Sequence, residues 1–181
     1  MQLHTSRLTL ISLTKEQFAQ YLQSPEAFET AMGWQPSHQI PYKNTRQAME
    51  WRYWLGVEHA EAFQWYTNWQ ILLTGQSRPI GFACFQGPPE LPDYAVELGY
   101  RIHLPYRRQG YMTEAAGALC SWALAQPQVR SVCAQTEQGN YPSEGVLKKI
   151  GMRLCHTENA MGFWCISNGY CTYCAKKCAK Q

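Results

Sequence analysis

Residues 97–114 read Glu97-Leu98-Gly99-Tyr100-Arg101-Ile102-His103-Leu104-Pro105-Tyr106-Arg107-Arg108-Gln109-Gly110-Tyr111-Met112-Thr113-Glu114. The first third alternates. From Tyr94 to Ile102, Val96, Leu98 and Tyr100 fall on one side and Glu97, Gly99 and Arg101 on the other. That period of two predicts a half-buried strand. The last third opens a helix, because Tyr111 to Ala125 is rich in Ala and Leu and Pro127 closes it. Between them sits a short loop with two arginines and Gly110. Strand, Gly-containing loop and helix N-terminus in succession make an anion site. The loop amides converge, the helix dipole is positive there, and a glycine lets backbone approach a ligand. A pyrophosphate fits such a site, and Arg107 and Arg108 add charge. An ordinary turn before a helix is the plainer alternative.

Outward from this segment, strands and helices intermingle. Arg7 to Leu13 alternates as a first strand. Thr14 with Gln17 is a capping-box signal for a helix through about Leu22. Gly33, Pro36 and Pro41 make Ala31 to Tyr42 a loop. Asn44 with Gln47 predicts the start of a second helix, with Ala48, Trp51 and Leu55 on one face. Strands are expected over Thr67–Leu73 and Pro79–Phe85, and again over Val129–Gln135. Asn140 is expected to cap a helix through about Ile150, with Pro142 in the tolerated first turn and Gly151 at its C′ position. Two last strands follow near Arg153–Glu158 and Gly162–Ile166. The order predicts one mixed α/β domain over 1–168.

Composition narrows the function classes. Length (181 residues) favours one domain, and 45% hydrophobic with 13% aromatic residues is a globular composition. No apolar run approaches a membrane span, and the first residues lack the apolar core of a signal peptide, so a cytoplasmic place of work is expected. The net charge of +3 belongs to Lys176, Lys177 and Lys180, because no acid lies beyond Glu158. Residues 1–170 are neutral, which argues against nucleic acid as a partner. Cys84, Cys120, Cys133 and Cys155 read as small buried hydrophobes. Cys165, Cys171, Cys174 and Cys178 crowd at the end. Their spacing contains the Cys-x2-Cys half of a zinc site without the second half at a ribbon-like distance, so no metal is expected. A plain disordered tail over 169–181 and redox-labile thiols are the other readings.

The order and spacing of the motifs resemble the GNAT superfamily of acetyl-CoA-dependent N-acetyltransferases, in particular the branch of ribosomal-protein-alanine N-acetyltransferases. Arg107-Arg108-Gln109-Gly110-Tyr111-Met112 is similar to the family's Arg/Gln-x-x-Gly-x-Gly/Ala loop. Glu97-Leu98-Gly99-Tyr100, Gly110-Tyr111-Met112-Thr113-Glu114-Ala115 and the run from Asn140 through Gly151 resemble the branch's strand, helix start and later helix. The opening Thr5-Ser6-Arg7-Leu8-Thr9-Leu10 resembles its first strand. Two positions depart: Met112 stands where Gly or Ala is usual, and Arg108 where Gly is frequent. A loop that needs positive φ at Arg108 would bind coenzyme more weakly.

The resemblance implies a mostly antiparallel sheet of about six or seven strands with about four helices. It implies acetyl-CoA as co-substrate, an amine acceptor, and a monomer or homodimer. Coenzyme contacts are expected at Ile102, Leu104, Arg107, Arg108, Gln109, Gly110, Tyr111, Met112 and Asn140. Glu97 is the candidate base for the incoming ammonium, with a salt bridge to Arg101 as its plainer role. Ser143 and Tyr141 are candidates for protonating the departing thiolate, and capping is the plainer role of Ser143. Glu114 is expected to serve only the helix N-terminus. Trp34, Trp51, Trp54, Trp65 and Trp69 fall in the region that the resemblance makes the wall of the acceptor groove, and core packing is expected for most of them. The acceptor itself stays open among protein N-termini, amino acids, polyamines and antibiotic amines. A non-catalytic acyl-CoA-binding module and a zinc-dependent interaction protein are the other function classes.

Overall fold

A computed structural model describes residues 1–89 and 93–167. The tail over 169–181, with Cys171, Cys174 and Cys178, lies outside the described residues. Eight strands form one sheet: β1 (Gln2–His4), β2 (Leu8–Ser12), β3 (Asn68–Leu73), β4 (Pro79–Phe85), β5 (Ala95–Ile102), β6 (Ser131–Glu137), β7 (Arg153–Glu158) and β8 (Met161–Ser167). The spatial order is β1-β2-β3-β4-β5-β6-β8-β7. Every neighbouring pair is antiparallel except β5 with β6. The short β1, which pairs Gln2 with Ile11 and His4 with Thr9, raises the count above the expected six or seven.

Five α-helices accompany the sheet: α1 (Lys15–Gln23), α2 (Pro25–Ala31), α3 (Lys43–Glu58), α4 (Tyr111–Leu124) and α5 (Tyr141–Lys149). The capping box at α1 forms, with Thr14 accepting from the Gln17 amide and the Gln17 side chain accepting from Thr14. The short α2 was not expected; Ser24 caps it and Pro25 opens it. At α3 the sequence reading needs two corrections. Its N-cap is Tyr42, not Asn44, with no side-chain cap bond. Its buried residues are Met49, Arg52 and Gly56, while Trp51 stays 60% exposed. The apolar count on this helix was misleading because its inward stripe includes an arginine.

The helices divide between two faces of the sheet. On one, Met112, Ala115, Ala116, Leu119 and Ala123 of α4 pack with Val96, Leu98, Ile80 and Phe85. Small alanines let α4 lie close to the strands, and the burial is the main stabilising term here. On the other face, α1, α2 and α3 enclose Phe18, Tyr21, Phe28 and Met49 against Phe82. Cys84, Cys120 and Cys133 are buried free thiols, as expected. Cys155 departs from that reading: it is half-buried and disulfide-bonded; the buried Cys165 is disulfide-bonded too.

Candidate active site

The parallel pair β5/β6 is short. It joins Ala95 to Ser131, Val96 to Val132 and Glu97 to Cys133, and then stops. Beyond Glu97, β5 continues to Ile102 paired only with β4, and β6 continues paired only with β8. The two strands therefore part, leaving a wedge with an unpaired strand edge from Leu98 onward among the described residues. Such an edge offers backbone donors and acceptors to an extended polar chain.

Two side-chain pairs stand at this wedge. Gln135 Nε2 donates to Glu97 Oε2 at 2.9 Å. Burial raises the Glu97 carboxyl above its ordinary range, and the Gln135 bond only partly opposes this. The expected pairing of Glu97 with Arg101 does not form; the Arg101 guanidinium lies 3.9 Å from the centre of the Tyr42 ring. The second pair joins Tyr100 to Ser143, with their hydroxyl oxygens 2.8 Å apart. Burial raises the Tyr100 phenol, with the Ser143 bond opposing, so it stays protonated at neutral pH. Tyr100 lies on the Val96 and Leu98 side of the strand, and its phenol reaches across to the mouth of α5. Tyr141 is 77% exposed at the first position of α5. Asn140 uses its side-chain oxygen to accept from the Ser143 amide at 3.3 Å, which is its capping role.

The loop between β5 and α4 has an unusual backbone. Leu104–Tyr106 forms a short 3₁₀ turn, Arg108 has φ +61° and Gly110 has φ +81° as the N-cap of α4. Arg108 thus adopts the positive φ that the sequence reading expected it to resist, at a cost of about 1 kcal/mol. Among the described residues no side chain caps α4. The backbone amides of Arg108, Gln109, Gly110, Tyr111, Met112 and Thr113 find no acceptor among the described residues, and the helix bonding begins with Glu114 N–H to Gly110 O. Left-handed turns feeding a helix N-terminus gather successive amides into an anion cradle. The Met112 and Gln109 side chains turn away from it. Met112 is buried in the core, so the missing Gly or Ala leaves the cradle clear. Gln109 Nε2 donates back to Pro105 O at 2.9 Å, and Arg107 Nε to Ile102 O at 3.4 Å. Leu104 is exposed.

Glu114 does more than sequence reading allowed. Its Oε1 accepts from Thr5 Oγ1 at 2.6 Å, Ser6 Oγ at 3.0 Å and the Arg7 amide at 2.9 Å, and Oε2 accepts from Arg7 Nε at 2.7 Å. Burial opposes its ionisation, but bonds from Thr5, Arg7 and Ser6 outweigh it and pull the carboxyl down to about 2. Arg7 also donates from Nη1 to Gln109 O at 3.1 Å and lies over the Tyr111 ring. The opening Thr5-Ser6-Arg7 segment, the turn between β1 and β2, therefore clamps the loop. The signal was present in sequence only as two unrelated fragments, 107 residues apart.

On the opposite sheet face, a cleft of about 440 Å³ lies between α3 and the β4–β5 strands, lined among others by Tyr42, Met49, Arg52, Cys84 and Arg101. None of the five tryptophans expected at an acceptor groove lines it. Trp65 and Trp69 are buried in the core beside Phe85 and Trp122. Trp34 packs on Phe28, and Trp51 and Trp54 face outward.

A family model described as an acetyltransferase (GNAT) domain matches residues 7–153. The chain belongs to the GNAT acetyltransferase family. Its GNAT fold is shared by solved structures at low identity. An acetyltransferase from Agrobacterium tumefaciens matches with a TM-score of 0.62 and 19% identity, over 93% of this chain and 95% of that one. A ribosomal-protein alanine acetyltransferase from Vibrio fischeri matches with a TM-score of 0.62 and 15% identity, over 93% and 97%. Among curated relatives, the uncharacterized N-acetyltransferase YjdG of Bacillus subtilis is 30% identical over 99 residues, covering 55% of this chain and 58% of that protein. YnaD of the same organism is 33% identical over 61 residues, covering 34% and 36%. The matched stretches thus span less than two thirds of either relative.

Proposed function

We propose that this protein transfers an acetyl group from acetyl-CoA to a primary amine by direct attack in a ternary complex. The observation that carries this reading is the open mouth of α4: six successive amides without acceptors among the described residues, beside a wedge whose strand edge is unpaired. The amides of Arg108 to Thr113 hold the pyrophosphate, and the Arg107 and Arg108 guanidiniums add positive charge. The β5 edge from Leu98 to Ile102 bonds the amide-bearing arm of the coenzyme. Acetyl-CoA supplies the thioester carbonyl that the amine attacks and the thiolate that leaves.

Glu97 takes the proton of the ammonium, directly or through water. Its raised carboxyl suits this role, because a base works best near the operating pH. Tyr100 and Ser143 form a hydroxyl relay at the mouth of α5 that returns a proton to the departing sulfur, with Tyr141 as the exposed alternative donor. Asn140 holds Ser143 in place through its amide. The catalytic domain occupies 1–168.

The test is acetyl-CoA consumption over a diverse amine panel, followed by Glu97→Gln. The variant is expected to lose about 100-fold or more in kcat while still binding coenzyme. In the parent protein the ionised base is the active form, so the rate climbs with pH through a value above the ordinary carboxylate range. Glu97→Gln removes that limb. An unchanged pH profile assigns the base elsewhere.

A further inference from the structure

In the cleft between α3 and β4–β5, Arg52 has no ion-pair partner among the described residues. Arg52 lies on the inward stripe of α3 and is only 2% exposed. Its Nη2 donates to Asn68 Oδ1 at 2.8 Å and its Nη1 to Phe85 O at 3.4 Å, both neutral acceptors. Among the described residues lining the cleft there is no aspartate or glutamate, whereas Arg101 and Arg107 line it as well. The neighbouring Cys84 does not balance Arg52, because burial holds its thiol protonated despite the guanidinium. A buried guanidinium with only neutral partners is costly, so a group of opposite charge arriving in the cleft is strongly favoured.

The arrangement has a direction. Strand alternation puts Glu97, Gly99 and Arg101 on the cleft face of β5, opposite Gln86, Cys84 and Phe82 of the β4 side. Glu97 and Arg101 are four residues apart, or about 13 Å along a strand. Cys84, beside Arg52, pairs with Gly99 midway between them. One end of this face thus carries a carboxylate that accepts protons, and the middle and far end carry cations. We propose that the acceptor is an amine that itself bears a carboxylate, seated with its nitrogen towards Glu97 and its carboxylate on Arg52 and Arg101. This rests on the acetyl-transfer reading above and names its substrate class. The carboxylate has two possible sources: an acidic side chain close to a peptide's N-terminus, or the acid group of a small ω-amino acid. Polyamines, which bring only positive charge, are disfavoured by the same arginines.

The experiment compares matched acceptors. Ala-Asp-Ala-amide is set against Ala-Asn-Ala-amide and Ala-Lys-Ala-amide, and 4-aminobutyrate against butylamine, with kcat/KM read from acetyl-CoA consumption. The carboxylate-bearing member of one series is expected to lead by at least about tenfold, and the series in which it leads identifies the source. Arg101→Gln and Arg52→Gln should each bring that ratio towards one, with KM for the acceptor moving more than kcat. Arg101→Gln carries the test if Arg52→Gln does not fold. Equal or better use of the amide, lysine or alkylamine acceptors overturns the proposal while leaving acetyl transfer standing. So does a preference that survives in both variants. If no amine is acetylated, calorimetric titration of Ala-Asp-Ala-amide and 4-aminobutyrate into the coenzyme A-saturated protein decides. Binding that requires the carboxylate supports the proposal, and its absence overturns it. Failure to bind coenzyme A at all defeats the acetyl-transfer reading instead.

Discussion

The mouths of α4 and α5 face the same wedge and are built in opposite ways. At α5 the chain satisfies itself. Asn140 accepts from the Ser143 amide, Glu144 Oε1 accepts from the Gly139 amide, and the Ser143 hydroxyl meets Tyr100. At α4 no side chain caps the helix, and the first-turn carboxylate that might have done so, Glu114, is held by Thr5, Ser6 and Arg7. An uncapped helix end costs about 1 kcal/mol relative to a capped one. The left-handed Arg108 adds a similar cost. The fold carries these costs at one helix and not the other, as the proposed coenzyme site at α4 requires. The paired groups at α5 are instead held in fixed positions, which suits the proton relay proposed for them.

Variants can break this contrast or sharpen it. Gly110→Val should act most strongly, because a β-branched residue at φ +81° forces the cradle to rearrange. Coenzyme affinity by calorimetry is expected to fall about 100-fold, or about 2.7 kcal/mol, with circular dichroism near that of the parent. Affinity within a factor of three of the parent would remove the cradle from α4. Glu114→Gln comes next, at about 2 kcal/mol of stability at neutral pH. The sign follows from the depressed carboxyl: its contribution is complete above about pH 4.3, the unfolded value, and is lost as pH falls towards about 2. The variant should therefore show a flatter loss of stability on acidification in denaturant titrations, together with a higher KM for acetyl-CoA.

At the other mouth, Ser143→Ala and Tyr100→Phe should each lower kcat about tenfold and leave coenzyme affinity nearly constant. Equal loss in affinity and rate would make α5 a second binding mouth. The smallest effect is expected from Asn140→Ala, at about 1 kcal/mol in thermal stability. A coenzyme defect in that variant as large as that of Gly110→Val would erase the difference between the two helices.

Much of the frame was legible along the chain. The Thr14–Gln17 capping box, the β5 alternation and the Gly151 helix stop are local signals, and each formed where expected. The α3 face was misread because periodicity counts apolar residues, and the buried stripe there includes Arg52 while Trp51 lies outside. Burial of that arginine depends on Asn68 of a neighbouring strand, which no local window contains. Trp65 and Trp69 took the core role that was expected for most of the tryptophans, but which rings would do so was not legible, because aromatic content does not say whether a ring turns to the core or to a cleft.

The sequence by itself determined the class of the fold, the place of the Gly110 loop between a strand and a helix, and the presence of Glu97 and Ser143 at strand and helix positions. These follow from near-neighbour periodicity and capping, whose partners lie within a few residues. Only the tertiary structure decided that β5 and β6 part after Glu97, that Tyr100 reaches Ser143, and that Thr5 to Arg7 close on Glu114. It alone also buried Arg52 on neutral partners, with no ion pair among the described residues. Each of these depends on which distant segments the sheet order brings side by side, and hydrogen bonds and charges act over a few ångströms of space rather than along the chain.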